Sequence, residues 1–143
     1  MSFVKVMIHA VWGTKKREPI LTREIRRQVI EHMVTNAREK RLYIDTLDGY
    51  VDHLHCLYGL NTEMSISKSL QLMKGESSHW INKEGLTKHH FEWADEYFAV
   101  SVSESMIPDV RAYIRNQEDH HRKKTFQEEY EEFIKTYNLG NHG

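Results

Sequence analysis

Two short motifs in this chain carry side chains able to do chemistry. The first is His53-Leu54-His55. Residues 51–60 read as a strand, and side chains alternate along a strand. His53 and His55 therefore share one face, while Leu54 and Cys56 share the other. Two imidazoles so placed can hold one divalent cation; they can equally be two unrelated histidines on a half-solvated strand. A structural zinc site through Cys56 fits poorly, because its thiol faces away from both rings. The second motif is Tyr113-Ile-Arg-Asn-Gln117. Positions i and i+4 lie above one another on a helix, so phenol and amide can reach one spot. A tyrosine can act as a covalent nucleophile. Its ordinary pKa of about 10 means that it needs a base or a nearby cation. Beside Val110 and Ile114, Tyr113 also fits a plain amphipathic helix.

The elements that must position these motifs follow from periodicity. Residues 3–12 alternate as a strand, with Val4, Val6, Ile8, Ala10 and Trp12 on one side and Met7, His9 and Val11 on the other. Gly13 to Pro19 is a basic loop. Thr22 caps a helix that runs to about Lys40, with Ile25, Val29, His32, Met33 and Ala37 at helical spacing. Residues 42–48 and 51–60 are two strands, with Asp48-Gly49 as the turn signal. A second helix starts near Ser65 and extends past Gly75. Residues 97–103 form the fourth strand. Ser105 caps a third helix, with Pro108 in its first turn. Thr125-Phe-Gln-Glu128 is a capping box that opens an acidic helix over about 125–138, with Phe126, Tyr130, Phe133, Ile134 and Tyr137 on one face.

The order β-α-β-β-α-β makes this a single α+β domain over residues 1–143. It is ferredoxin-like: a split β-α-β, four-stranded antiparallel sheet with helices on one face and extra C-terminal helices. The other face, carrying His9, His53 and His55, is expected to be open to ligand.

The formal net charge of the 143 residues is −1, which alone argues against nucleic acid. Residues 126–143 hold −3 of it, leaving the first 125 at +2. Lys15-Lys16-Arg17, Arg23-Arg26-Arg27, Arg38-Lys40-Arg41 and Arg122-Lys123-Lys124 are local basic clusters, each either a phosphate contact or a solvated face. The N-terminus does not read as a signal peptide, no apolar run is long enough for a membrane helix, and Cys56 is the only cysteine. A cytoplasmic protein is the expectation.

His-hydrophobe-His followed by Tyr-x-x-x-Gln, in this order and in a chain this short, resembles the single-tyrosine HUH transposases of the smallest bacterial insertion sequences. The likeness extends to His9-Ala-Val-Trp12 with Thr14-Lys-Lys-Arg17 and Pro19. It also takes in Asp52-His-Leu-His55, Ser67-Lys-Ser-Leu-Gln71, Tyr97-Phe-Ala-Val-Ser-Val-Ser103 and Val110-Arg-Ala-Tyr-Ile-Arg-Asn-Gln117 with His120-His121. The resemblance implies that His53, His55 and Gln117 hold one Mg²⁺ or Mn²⁺. It implies that Tyr113 attacks a phosphate of single-stranded DNA and becomes joined to the 5′ end, so that rejoining needs no ATP. Hairpins near the element's ends would be the partner. The working unit would be a homodimer with composite sites, Tyr113 of one subunit beside the histidines of the other. A domesticated hairpin-binding or repeat-processing relative that no longer transposes is the alternative.

Softer expectations attach to further residues. His9 shares the face of the histidine pair and sits near the metal, near DNA, or is a plain strand histidine. Lys15, Lys16 and Arg17 are candidate DNA contacts. Asp52 is expected to hydrogen-bond backbone or a neighbouring histidine. His120 and His121 fit a solvated helix end better than a phosphate contact. Trp80 and Trp93 fit packing better than base stacking.

Overall fold

The computed structural model describes residues 2–121 and 124–137. Its strands are β1 (Met7–Gly13), β2 (Tyr43–Tyr50), β3 (His53–Gly59) and β4 (Phe98–Val102). They form one antiparallel sheet in the order β2-β3-β1-β4, the split β-α-β arrangement. Helix α1 (Arg23–Glu39) links β1 to β2, and α2 (Ile66–Glu84) links β3 to β4. Three helices follow β4: α3 (Ile107–Arg115), α4 (Gln117–His121) and α5 (Phe126–Tyr137).

Local signals explain the helix boundaries. Thr22 Oγ1 accepts the Ile25 amide, and Ser65 Oγ accepts that of Lys68. Gly85 ends α2 in the left-handed region at φ 62°, where a side chain would be strained. Pro108 lies in the first turn of α3; Ser105, expected as its cap, sits instead in a short 3-10 turn, Glu104–Met106. At α5, the Thr125 amide donates to Glu128 and the Glu128 amide donates to Thr125 Oγ1, completing the capping box. The side chains of Tyr130, Phe133, Ile134 and Tyr137 lie outside the described residues.

The main core packs α1 and α2 on one sheet face through Ile8, Ala10, Trp12, Leu54, Cys56 and Tyr58 from the strands and Val29, Met33, Leu70, Met73 and Ile81 from the helices. Trp93 belongs to it, donating Nε1–H to Ser77 Oγ at 2.9 Å, and Trp80 stacks on His32. Val4 and Val6 are exposed, because β1 begins at Met7 and there is no second layer beyond it.

Two expectations about the sheet are corrected. Asp48 and Gly49 do not form the hairpin turn; they pair with His55 and Leu54, and the turn is Val51-Asp52. The glycine serves close approach within the ladder, since a Cβ there would lie 2.1 Å from the His53 carbonyl oxygen. Gly49→Ala is therefore expected to displace the start of β3 and to cost about 1–3 kcal/mol; an unchanged urea midpoint would contradict this. The second correction concerns the histidine face, which is not open. Ile107, Val110 and Ile114 of α3 pack on Met7 and Leu57 there, and Phe126 of α5 packs on Val11 and Phe98. Apolar residues alternate with the histidines on that face, so leaving it open would expose them to water.

Candidate active site

Strand register sets the first layer of the site. Gly13 lies opposite His53 and Val11 opposite His55. With no side chain at Gly13, the Phe126 ring stacks on His53 at 4.2 Å. His53 Nδ1 lies 2.8 Å from Asp52 Oδ1, and His55 Nδ1 lies 2.9 Å from His9 Nε2. Asp52 thus orients a neighbouring histidine, and His9 contacts the pair directly.

Helix α3 places the Tyr113 ring 5.6 Å from that of His55 and 6.4 Å from that of His9. All of this occurs within one chain, so no partner is needed to bring the phenol to the histidines. The helix breaks at Asn116, whose φ of −99° and ψ of 22° leave Gln117 to open α4. Gln117 still points inward, with Oε1 3.1 Å from His53 Nε2. Helix α4 also turns His120 and His121 toward the sheet rather than to solvent, against expectation. His121 is buried, stacks on Tyr50 at 5.1 Å, and has Nδ1 2.7 Å from the Lys124 carbonyl. His120 Nε2 lies 3.3 Å from the Tyr113 hydroxyl.

The residue at the focus of this cluster was not anticipated. Glu129 is 1% exposed. Its Oε1 lies 2.9 Å from His55 Nε2 and 3.2 Å from both His53 Nε2 and His121 Nε2. Its Oε2 accepts the Tyr113 hydroxyl and lies 3.3 Å from His120 Nε2. Sequence reasoning placed Glu129 in a solvated acidic run. A signal was present: Glu129 falls three residues after Phe126, toward the apolar side of that helix, where a carboxylate needs partners.

Burial and charge set the protonation states. Burial, reinforced by His55, lowers the His9 pKa to about 3. Burial likewise lowers that of His55 to about 4, against the pull of Glu129. For His53, burial acts downward but hydrogen bonds to Asp52 and Glu129 outweigh it, and the net shift is upward. Burial would raise Glu129, but hydrogen bonds with His121, His53 and His55 hold it well below the carboxylate range. Burial and then the Glu129 carboxylate push the Tyr113 phenol upward, keeping it protonated. Cys56 is buried on the opposite sheet face, and burial raises its thiol.

Beside the site, Lys15–Arg17 form a 3-10 turn with Lys16 and Arg17 at φ 57° and 54°. Left-handed backbone costs about 1 kcal/mol or more per non-glycine residue and persists only where the surroundings hold it. This turn lines a cleft of about 570 Å³ with Tyr97, Phe98 and Phe126. Lys15 pairs with Glu92 at 2.8 Å, and the Arg17 guanidinium lies 4.6 Å over the Phe126 ring. In the second basic cluster, Arg23 and Arg26 instead pair with Glu118, Arg26 being buried. These two hold α4 against α1.

The model of the family described as "Transposase IS200 like" matches residues 2–117. The ISDra2 transposase TnpA of Deinococcus radiodurans is 25% identical over 117 residues, covering 78% of this chain and 83% of its own. A crystal structure assigned as a transposase of Deinococcus radiodurans R1 has a TM-score of 0.66 at 24% identity, covering 81% of this chain and 93% of its own. A REP-associated tyrosine transposase bound to a REP hairpin has a TM-score of 0.55 at 16% identity, with 82% and 67% covered. At these identities the two structures speak for the fold. No helix among the described residues is long and apolar enough to cross a membrane.

Proposed function

The chain belongs to the IS200-like transposase family, and from that premise we propose that it cuts and rejoins single-stranded DNA at insertion-sequence ends through a 5′-phosphotyrosine on Tyr113. Membership brings DNA strand cleavage and joining with it. The observation that carries the finer reading is the convergence of the Tyr113 hydroxyl, His53, His55 and Gln117 on one buried spot within one chain.

The donor set fits a divalent cation. His53 has Nδ1 engaged by Asp52, which turns Nε2 toward the Gln117 amide oxygen and Glu129. His53, His55 and Gln117 would hold Mg²⁺ or Mn²⁺, whose charge would be felt by the phosphate under attack. Tyr113 forms the new phosphorus–oxygen bond as the bond to the 3′-oxygen breaks, and the 5′ end stays on the enzyme. The phenolic proton has two acceptors at hand, Glu129 and His120. Burial lowers the His120 pKa, so its ring is neutral and able to take a proton at pH 7. Because His53, His55 and Gln117 are fully buried, DNA reaches them only when α5 lifts from the sheet.

Single-stranded DNA with hairpins is the proposed partner, met in the cytoplasm. Lys15, Lys16 and Arg17 are the proposed phosphate contacts, with His9 kept to the pocket beside His55. A homodimer would carry two such sites. The test is to incubate labelled single strands from both flanks of the gene with Mg²⁺, Mn²⁺ or EDTA. A detergent-stable protein–DNA adduct that forms only with the metals supports the reading; cleavage in EDTA without an adduct refutes it. Binding should also weaken with salt. Three phosphate contacts on single-stranded DNA give a slope of about −2 in log affinity against log salt. A flat anisotropy titration between about 50 and 200 mM salt would remove the basic turn from the interface.

A further inference from the structure

We propose that the cation site has two donors beyond His53, His55 and Gln117, namely His121 Nε2 from α4 and the Glu129 carboxylate from α5. This rests on the reading that the site holds a cation. Both residues lie beyond the 2–117 stretch shared with the family model.

Three observations support it. The first is spacing. Ligands bound at about 2.1 Å and at right angles to one another lie about 3 Å apart. Glu129 Oε1 lies 2.9, 3.2 and 3.2 Å from Nε2 of His55, His53 and His121, and Gln117 Oε1 lies 3.1 Å from His53 Nε2. The second is the orientation of the rings. His53 Nδ1 faces the Asp52 carboxylate and His121 Nδ1 faces the Lys124 carbonyl. Both partners accept only, so each Nδ1 carries the proton, and a neutral ring then aims its Nε2 lone pair at Glu129. A lone pair facing a carboxylate oxygen is repulsive unless a cation or a proton lies between them. This outward hydrogen bond is how metal-bound imidazoles are commonly held. The third is shared membership. Among the described residues, His53, His55 and Glu129 form one group with metal-ligand spacing, and His120, His121 and Glu129 form another. Glu129 belongs to both, which places it at the junction of the strand histidines and the α4 histidines.

Three imidazoles, one carboxylate and one amide oxygen make a softer site than two imidazoles and an amide. Such a set shifts preference from Mg²⁺ toward later first-row ions. The carboxylate also occupies space that a scissile phosphate would need, so Glu129 is a ligand of the DNA-free protein and must withdraw as α5 lifts.

The test is titration of the full chain with Co²⁺, read by calorimetry and visible absorption, with Mg²⁺ compared. Wild type should bind Co²⁺ more tightly than Mg²⁺. Glu129→Gln and His121→Ala should each weaken Co²⁺ binding by about 10- to 100-fold or more and alter the absorption spectrum. Glu129→Asp, which keeps a carboxylate, should recover part of the affinity, and circular dichroism of the stripped proteins checks that each is folded. If Glu129→Gln and His121→Ala bind Co²⁺ with wild-type affinity and spectrum while His55→Ala does not, the two added ligands are refuted and the three-ligand site stands. If His55→Ala also binds as wild type does, the site itself is misplaced and the proposal falls with it.

Discussion

Tyr113→Phe protein should bind hairpin DNA as wild type does and form no covalent adduct, with cleavage down on the order of 10⁴-fold or more. The substitution removes one oxygen and keeps the ring that packs over His55. That oxygen donates its proton to Glu129, so the carboxylate loses one donor of several. One lost hydrogen bond costs about 1 kcal/mol, too little to unfold the domain. Binding should survive because the proposed phosphate contacts, Lys15–Arg17, lie on a separate turn. The measurement pairs anisotropy for binding with denaturing gels for the adduct. An adduct formed by the phenylalanine variant would move the nucleophile elsewhere. The raised pKa of the phenol adds a condition to the wild-type reaction. While Glu129 accepts its hydrogen bond, Tyr113 is a poor nucleophile, so activation has to include movement of Glu129 or compensation of its charge.

The sheet was legible in the sequence because each strand alternates and each long helix carries its own cap. Thr22, Ser65 and the Thr125–Glu128 box all mark helix starts that the structure keeps. The hairpin was misread because a glycine after an aspartate usually means a turn, whereas Gly49 is there for the His53 carbonyl. The alternation that puts His53 and His55 on one face is visible in seven letters. What covers that face is not, because α3, α4 and α5 reach it through tertiary packing with no sequence period of its own. The i, i+4 relation of Tyr113 and Gln117 assumed an unbroken helix; the break at Asn116 alters the path, though both side chains still enter one pocket. Glu129 escaped notice because net-charge reasoning treats four clustered glutamates alike, and only burial separates this one from Glu128, Glu131 and Glu132.

His55→Ala should lose metal binding and cleavage together, by about 100-fold or more in affinity, since removing a ligand costs at least what removing its supporting hydrogen bond does. The ring stands between His9 and Glu129, so its loss also opens a cavity and should lower stability by roughly 1–3 kcal/mol. Comparisons therefore belong at a temperature where circular dichroism shows the variant folded. Cys56→Ser, one residue further along β3, is the control: its side chain lies in the α1–α2 core, and metal binding should persist. A serine variant that loses the metal beside an alanine variant that keeps it would overturn the assignment of the two strand faces. The same His55→Ala protein decides how subunits share the site. With Tyr113 and His55 rings 5.6 Å apart in one chain, each subunit holds both halves of the chemistry, and mixing Tyr113→Phe with His55→Ala protein should restore nothing. The composite arrangement implied by the family resemblance gives the opposite result. In a verified heterodimer it would reunite an intact Tyr113 with an intact His53–His55 pair and bring back one working site of two. Recovered cleavage in that mixture would show that α3 swings across to a partner when DNA is bound, and that the contact within one chain belongs to the resting protein.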